Sequence, residues 1–403
     1  MRKQLITLAV IAAGVAGNAV ASAADVGAST TIDGQVFLDF SDISQKQNGT
    51  DVPPSGVGFD VKRAYLIANH TFDDVWSANL TTDAQYISST AGTGYTNSTT
   101  SNSGGATELF IKLLYLQAKV NDAAVFRLGS YNQPWYQYAV TLYGYRYVEK
   151  TATDRLGYSN SADWGLHANG LAGDNGFFNY ALAVIDGGGY KNPTRTKEPD
   201  YEGQFGVKPL SWLNVGAGFY AGHLGQVTQA NNDYPTHTAT RWDALVAVVN
   251  GPLRVGGEVF EAKNFKAGSA STGVLSGPAG VVVAASATGT LLNDQAQGYS
   301  TWAAYTFAPK WTVFGRFDRA HLSEDVDPKL RDTYYHLGVA YKPIQTIDLA
   351  LVWKHDDVQN GTVSIGSGDG NSSYTVGGTG AAGTGAKTDG EFNEVGVYTQ
   401  YVF

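Results

Sequence analysis

Apolar and polar residues alternate along many short segments of this chain, and the C-terminal segment shows the pattern most clearly. Successive side chains of an extended strand point to opposite faces, so alternation gives one face suited to lipid and one suited to water. A soluble antiparallel sandwich produces the same pattern, so a single strand leaves both classes open. One face of the last segment carries Val395, Val397, Thr399, Tyr401 and Phe403, and the other carries Glu394, Gly396, Tyr398 and Gln400.

The composition favours a membrane barrel. The chain has 49 Gly, 24 Tyr, 17 Phe and 8 Trp residues and a mean hydropathy of −0.18. Beyond its N-terminal segment it has no apolar run long enough for a membrane helix. A membrane protein without such runs must cross the bilayer with alternating strands. We therefore expect an all-β protein, a transmembrane antiparallel barrel surrounded by outer-membrane lipid in a Gram-negative bacterium.

The two ends of the chain carry export and assembly features. Arg2 and Lys3 precede an apolar stretch that ends at the small residues Ala21-Ser22-Ala23, which predicts a signal peptide over residues 1–23. The stretch is shorter than the roughly 20 residues that a membrane-spanning helix needs. At the other end, the aromatic Phe403 with apolar residues at alternate positions before it resembles the signal that outer-membrane barrels present to their assembly machinery. We expect that machinery to be a partner and residues 24–403 to form one barrel domain.

Sixteen segments have strand periodicity, and fourteen or eighteen strands are the alternatives. We expect the first segment to pair with the last and close the barrel, which would leave no sheet edge in lipid. The segments are Ile32–Phe40, Phe59–Thr71, Val75–Tyr86, Leu109–Val120, Ala123–Tyr131, Asp163–Leu171, Gly176–Ile185, Asp200–Lys208, Trp212–Ala221, Ala239–Val249, Pro252–Glu261, Tyr299–Phe307, Trp311–Ala320, Thr333–Tyr341, Thr346–Lys354 and Glu391–Phe403.

Short and long connections alternate between these segments, as they do in outer-membrane barrels with short periplasmic turns and long extracellular loops. The short ones are rich in Pro, Gly, Asn and Asp, for example Asn121-Asp122 and Asn250-Gly251. The apolar stretch Val281–Ala285 in one long connection could extend a hairpin above the membrane or cover a neighbouring subunit. Aromatic residues at the short turns predict a periplasmic girdle: Phe72, Trp76, Phe177, Phe178, Trp212, Phe307, Trp311 and Tyr341.

The net charge and the residue types argue against several classes of function. Removing Arg2 and Lys3 with the signal peptide leaves 25 basic against 36 acidic residues, a net charge of −11. A nucleic-acid partner is therefore not expected. No cysteine is present, and no His-Glu-x-x-His or nucleophile-elbow motif occurs. We expect no catalytic residue, no metal site and no cofactor.

The connection over residues 132–162 differs from the other long ones because it is aromatic and charged. It contains Tyr136, Tyr138, Tyr143, Tyr145, Tyr147 and Tyr158 together with Arg146, Glu149, Lys150, Asp154 and Arg155. Such a composition suits a segment that packs against the barrel wall and keeps polar groups in water. We expect it to narrow the pore. Four of its tyrosines could form a slide for sugars or anchor the loop: Tyr136, Tyr138, Tyr143 and Tyr145.

Three stretches resemble the phosphate-selective porin O and P family: Phe126–Trp135, Arg146–Lys150 and Asp163–Gly170. Phe59–Leu66 and Tyr180–Gly187 are similar to the second and seventh strands of that family. The resemblance implies a sixteen-stranded, often trimeric channel whose basic lumen passes anions. Asn132 stands where the family usually has a lysine, so the solute and the sign of its charge stay open.

We predict a porin that lets small hydrophilic solutes or inorganic ions diffuse passively, with anions such as phosphate as the family's implied preference. A surface adhesin or receptor barrel and an outer-membrane hydrolase are the alternatives. Arg241 and Arg316 each lie two residues before an acid on the same face, which favours pairing with Asp243 and Asp318 over a filter role; Glu149 is a further possible partner. The candidate residues of the pore are Arg127, Tyr131, Arg146, Lys150, Arg155, Arg241 and Arg316.

Overall fold

The chain forms a closed antiparallel barrel of sixteen strands in which each strand pairs with the next along the chain. This architecture comes from a computed structural model. It confirms sixteen strands against the alternatives of fourteen and eighteen. The structure describes residues 28–403 apart from 53–54, 88–95, 98–99, 104–105, 228–236, 270–274, 279–290, 326, 366–373 and 380–386. The predicted signal peptide and Val281–Ala285 lie outside the described residues.

The barrel strands, numbered here in chain order, are β1 Ser29–Gln47, β2 Gly56–Thr71, β3 Trp76–Ile87, β4 Ala106–Asn121, β5 Ala124–Asn132, β6 Ala162–Ala172, β7 Phe178–Ile185, β8 Asp200–Leu210, β9 Leu213–Gly222, β10 Ala239–Asn250, β11 Leu253–Lys263, β12 Gln295–Ala308, β13 Trp311–His321, β14 Arg331–Ile344, β15 Ile347–Gln359 and β16 Gly390–Val402. The helices are α1 Pro134–Tyr143, α2 Ala152–Arg155 and the 3-10 turn Asp174–Gly176. Short strands in the long loops are Thr50–Asp51, Thr96–Asn97, Thr100–Ser103, Lys266–Ser269, Leu275–Pro278, Leu291–Leu292, Thr362–Ile365, Tyr374–Thr379 and Lys387–Thr388.

The first and last strands close the barrel, as predicted. Gln35 of β1 pairs with Val402 and Gln47 pairs with Gly390, so the whole length of β16 is used. Beyond the last pair, the backbone N–H of Gly34 donates to the Phe403 carbonyl at 2.8 Å. The backbone N–H of Phe403 donates to the Gly34 carbonyl at 3.0 Å. A side chain at position 34 would collide with the Phe403 ring. The glycine therefore lets the terminal aromatic ring lie flat on the barrel wall.

The outer and inner faces differ as the alternation predicts. On β14 and β15, Leu337 and Leu351 point outward and are exposed, whereas His336 and Val352 point inward and are buried. Apolar side chains that point outward and are exposed in the isolated chain are suited to contact with membrane lipid. Phe72, Phe177, Trp212, Phe307 and Trp311 are exposed next to the short turns, where the aromatic girdle was expected.

Several strands extend beyond the range that periodicity indicated. β1 was expected to end at Phe40 and continues to Gln47, and β15 continues from Lys354 to Gln359. The added residues are mostly polar, so the lipid-facing half of the pattern disappears while backbone pairing goes on above the membrane. Within the described residues, no helix is long and apolar enough to cross a membrane. The buried apolar clusters lie inside the barrel, between its wall and the loop that follows β5.

Candidate pore constriction

The loop over residues 133–161 folds into the barrel and begins with α1. Pro134 occupies the first turn, where its missing N–H costs nothing, and Gly144 ends the helix in the left-handed conformation at φ 83°. Trp135 is completely buried, and α1 packs on the inner wall with Leu245 and Trp302. The side chain of Trp135 also donates its Nε1–H to Glu258 Oε1 at 2.8 Å. The helix is thus attached to β10–β12 by both apolar and polar contacts.

Two glycines of β9 make room for α1. Gly216 and Gly218 lie two residues apart on the inner face of the strand. A Cβ at Gly216 would be 2.3 Å from the Tyr138 ring, and one at Gly218 would be 2.5 Å from the Trp135 ring. Any larger residue would displace the helix because packed interiors have little spare space. The spacing of these glycines is visible in the sequence, but only the fold shows what lies against them.

The middle of the loop continues along the inner wall. The Tyr145 ring stacks on Phe314 of β13 with 4.2 Å between ring centroids and an interplanar angle of 13°. Tyr147 and Val148 are buried in one cluster with Phe37 and Tyr398 of the closing strands. The loop therefore contacts the inner wall from β10 round to the closing strands, inside the barrel as predicted.

Arg155, at the end of α2, is buried among three aspartates. Its guanidinium Nε donates to Asp318 at 3.3 Å, and its Nη1 donates to Asp356 at 2.9 Å. Asp332 receives bonds from both terminal nitrogens. The Tyr334 ring lies 4.4 Å below the guanidinium. Three strands, β13, β14 and β15, are thus joined to the loop through one side chain.

Arg241 and Arg316 make the ion pairs that their spacing favours. Arg241 Nε bonds Asp243 at 2.8 Å, and its Nη2 bonds Glu202 at 2.9 Å. Arg316 Nε bonds Asp318 at 2.7 Å. Both arginines also donate to loop carbonyls, those of Tyr158 and Lys150 respectively. We call Arg155, Arg241, Arg316 and Lys354 with their carboxylate partners the paired wall.

Lys354 is the remaining cation of the paired wall and corrects one expectation. Glu149 was considered as a partner for one of the candidate arginines, but it pairs with Lys354 at 3.3 Å. Lys354 also contacts Glu394 at 3.2 Å. Burial alone would raise the pKa of Glu149, but the charges of Lys354 and Lys62 and the N–H of Lys150 hold that pKa well below its usual range. The carboxylate is therefore ionised at neutral pH.

Two lysines reach the lumen through β-bulges. In β2, Phe37 pairs with Arg63 and Leu38 pairs with Val61, so Lys62 is the extra residue. In β4, Lys112 is skipped in the same way between Ile111 and Leu113. A bulge breaks the alternation and re-aims a side chain, and both lysines are buried inside the barrel.

These two lysines make different contacts. Lys62 pairs with Asp39 at 3.1 Å. Lys112 donates to the Tyr65 hydroxyl at 2.7 Å and lies 4.4 Å from the centre of that ring. Neighbouring Arg63 pairs with Asp83 at 2.5 Å.

Arg127 and Tyr131 occupy the inner face of β5, where the sequence put them. Arg127 donates to the amide oxygen of Asn169, and its guanidinium lies 4.0 Å from the centre of the Tyr131 ring. Tyr131 makes edge contacts with Tyr115 and His167. Within the described part of the chain, no carboxylate lies at ion-pair distance from Arg127, and its Nε has no acceptor. The charge of Arg127 is therefore held by neutral groups.

Arg146 has only a loose ion pair. It is buried, its Nη2 is 3.6 Å from Asp154, and neither Nε nor Nη2 has a hydrogen-bond partner. We call Arg127 and Arg146 the basic face. Lys150, the remaining candidate, lines a cavity of about 190 Å³ with Arg63, Asp154 and Lys191.

Sequence analysis missed several charged residues of the lumen, namely Lys62, Arg63, Lys112, Glu202, Glu258, Lys354 and Glu394. Glu202, Glu258, Lys354 and Glu394 lie on the polar positions of alternating strands, so periodicity could have found them. Lys62 and Lys112 could not be assigned to a face because bulges interrupt the period there. Among the described residues, no group of three or more His, Asp or Glu side chains has the arrangement of a metal site.

Solved structures share this fold. The barrel is similar to an anion-selective porin from Comamonas acidovorans, with a TM-score of 0.59, 11% identity, and coverage of 93% of this chain and 100% of that one. It is also similar to outer-membrane expressed OmpT of Vibrio cholerae, with a TM-score of 0.58, 14% identity, and coverage of 94% and 99%. The outer-membrane channel DcaP of Acinetobacter baumannii gives a TM-score of 0.56 at 12% identity, with coverage of 94% and 99%.

No protein-family model matches the sequence, and no curated protein matches it either. The fold therefore defines the class: a closed sixteen-stranded antiparallel β-barrel, similar to the barrels of outer-membrane porins.

Proposed function

We propose that this barrel is a passive channel for small hydrophilic solutes, narrowed by the loop over residues 132–162, and that it prefers small anions. The observation that carries the preference is that Arg127 is held by the Asn169 amide and the Tyr131 ring and has, among the described residues, no carboxylate at ion-pair distance. A cation without a carboxylate partner leaves its positive charge to act on a passing anion.

The distribution of charge supports this preference despite the acidic composition of the chain. Selectivity follows the charges that line the narrowest part of a pore, and not the net charge of the protein. On the paired wall, every cation has a carboxylate within hydrogen-bond distance. On the basic face, Arg127 bonds an amide and lies over the Tyr131 ring, and Arg146 has only a loose ion pair with Asp154. A net positive field therefore remains on one side of the lumen.

The test is the reversal potential of the channel in a potassium chloride gradient across a planar bilayer. We expect chloride preference in the parent protein and a shift towards potassium in Arg127→Gln with Arg146→Gln. The matched control is Lys119→Gln, which removes the same charge from an exposed pair with Asp122 at a short turn. An unchanged reversal potential in the double variant would rule out the basic face as the filter. A barrel that conducts no ions would rule out the channel itself.

Phosphate is the anion that the resemblance to the porin O and P family implies. Asn132, at the position of the usual family lysine, donates to Gln137 Oε1 at 2.7 Å and supplies no charge. We propose that phosphate is bound without a strong advantage over other small anions. Addition of phosphate should reduce chloride current in proportion to its concentration, and saturating block by phosphate alone would contradict this.

Two further proposals concern the mature molecule. We propose removal of residues 1–23, which predicts Ala24 as the N-terminus of protein isolated from outer membranes. We also propose a homotrimer, which should appear as a band of about three times the monomer mass after cross-linking. N-terminal sequencing that returns Met1, or a cross-linked species of another size, would contradict the respective proposal.

A further inference from the structure

A second cavity lies between α1 and the turn-proximal ends of β6–β9. Its volume is about 370 Å³, which falls within the range of sites for small organic molecules, roughly 300–1,000 Å³. The cavity that holds Lys150 measures about 190 Å³ and is too small by this measure. The larger cavity is therefore a candidate binding site, and it adjoins the basic face through Tyr131 and Asn169, which contact Arg127.

The lining of this cavity is rich in amides and lacks carboxylates. Its polar side chains are those of Asn132, Gln137, Asn169, Asn179, Gln204 and Asn214, together with Tyr131, Tyr138, Thr141 and Lys208. Lys208 is exposed at the end of β8. An amide both donates and accepts hydrogen bonds, as a hydroxyl group does, and a tyrosine offers an apolar ring with a polar end.

The amides are held in place by one another. Gln204 donates to Asn179 at 2.9 Å. Gly206 lies two residues after Gln204 on the same face of β8. A Cβ at Gly206 would be 2.6 Å from Asn179 Oδ1, so the glycine leaves room for the hydrogen bond between Gln204 and Asn179. On the opposite side, Asn132 donates to Gln137, which in turn donates to Thr141 at 3.3 Å. Two hydrogen-bonded sets of amides thus face each other across the cavity.

Two polar groups in this frame have no protein partner. The hydroxyl of Tyr138 is buried without a hydrogen bond, which is a costly arrangement unless a ligand or water meets it. Burial raises the pKa of Tyr138 to about 12, so the hydroxyl stays protonated at neutral pH. The Asn214 side chain, on β9 two residues before Gly216, makes no hydrogen bond within the described part of the chain.

We propose that this cavity binds a neutral, polyhydroxylated solute of monosaccharide size during its passage. Vicinal hydroxyls match the paired donors and acceptors of the amides, and the Tyr138 ring matches the apolar face of a sugar ring. Lys208 is the one cation in the lining and lies at the rim, and Arg127 beside the cavity already bonds Asn169, so the amides supply most of the contacts to a solute. The inference rests on the proposed channel function and adds a substrate class to it.

Glucose is the probe, and block of single-channel chloride current is the measurement. We expect saturable, reversible block by glucose. Asn214→Leu and Tyr138→Phe should each raise the half-blocking concentration roughly three- to tenfold, which corresponds to the loss of one neutral hydrogen bond. Gln226→Leu is the matched control because it removes an amide that faces a different cavity, on the opposite side of the loop. Its half-blocking concentration should equal that of the parent.

Calorimetric titration of the folded barrel with glucose, in a detergent without a sugar headgroup, provides a second readout that needs no conductance. Normal conductance without saturable block or heat of binding would overturn the site and leave the channel function intact. Equal block in Asn214→Leu, Tyr138→Phe and the parent would also overturn it. A barrel that binds glucose but carries no current would contradict the channel function alone.

Discussion

The paired wall and the basic face are both lumen-facing and both rich in cations, yet they hold those cations differently. On the paired wall, Arg155, Arg241, Arg316 and Lys354 are surrounded by carboxylates. On the basic face, Arg127 bonds an amide and lies over the Tyr131 ring, and Arg146 has only a loose ion pair with Asp154. A cation among carboxylates contributes little net charge to a solute, whereas a cation among neutral groups contributes nearly all of its charge. Counting basic residues in a lumen therefore does not predict selectivity.

The paired wall and the basic face also differ in how they contact the loop. The loop is attached mainly to the paired wall: Arg155 and Glu149 belong to the loop, and Arg316 donates to the Lys150 carbonyl. The basic face contributes less to this attachment. Arg146 belongs to the loop, and its ion pair with Asp154 lies within the loop itself. We infer that the paired wall sets the position of the constriction and the basic face sets its charge.

Arg155→Ala should have the largest effect on stability and on the position of the loop. A small effect would contradict the distinction between the paired wall and the basic face. It leaves Asp318, Asp332 and Asp356 together without their shared cation, at a cost of about 3–5 kcal/mol. We expect the loop to detach and single-channel conductance to rise with added noise. The measurements are conductance in planar bilayers and urea unfolding of the barrel. Arg127→Ala is the counterpart on the basic face, and an equal loss of stability there would contradict the distinction.

Glu149→Gln should have a smaller effect, about 1–3 kcal/mol for a charged hydrogen bond, because Lys354 keeps Glu394. The variant also tests a pH dependence. The pKa of Glu149 is lowered in the folded protein from its usual 4.5, so its contribution is complete above that pH and is lost as the pH falls towards the folded-state pKa. We expect loop opening to increase below about pH 4.5 in the parent and to lose part of that dependence in the variant. Identical pH profiles of conductance would contradict this assignment.

Lys342→Gln should have the smallest effect and isolates the role of burial. Lys342 pairs with Asp348 at 3.2 Å, but the lysine side chain is about half exposed. Exposed pairs contribute roughly 0–1 kcal/mol. Urea unfolding should hardly distinguish this variant from the parent, whereas a loss comparable to that of Arg155→Ala would show that pairing matters more than burial.

The barrel itself was predictable because its signals are local. Alternation in segments such as Glu391–Phe403 follows from the lipid on one side and water on the other, and turn residues such as Asn250-Gly251 mark the strand ends. The pairing of Arg316 with Asp318 was predictable for the same reason, since two residues on one strand face are neighbours. The strand ends above the membrane were not predictable, because the residues added to β1 are polar on both faces.

The sequence by itself determined a closed barrel with sixteen as the favoured number of strands, its closing pair and the loop that enters it, because each of these depends on a repeat or a turn that local residues encode. Only the tertiary structure decided the partners of the lumen charges. Arg155 meets aspartates 163 to 201 residues away, and bulges at Lys62 and Lys112 interrupt the alternation of β2 and β4. The cavity of amides beneath α1 arises in the same way, from strands that become neighbours only when the barrel closes.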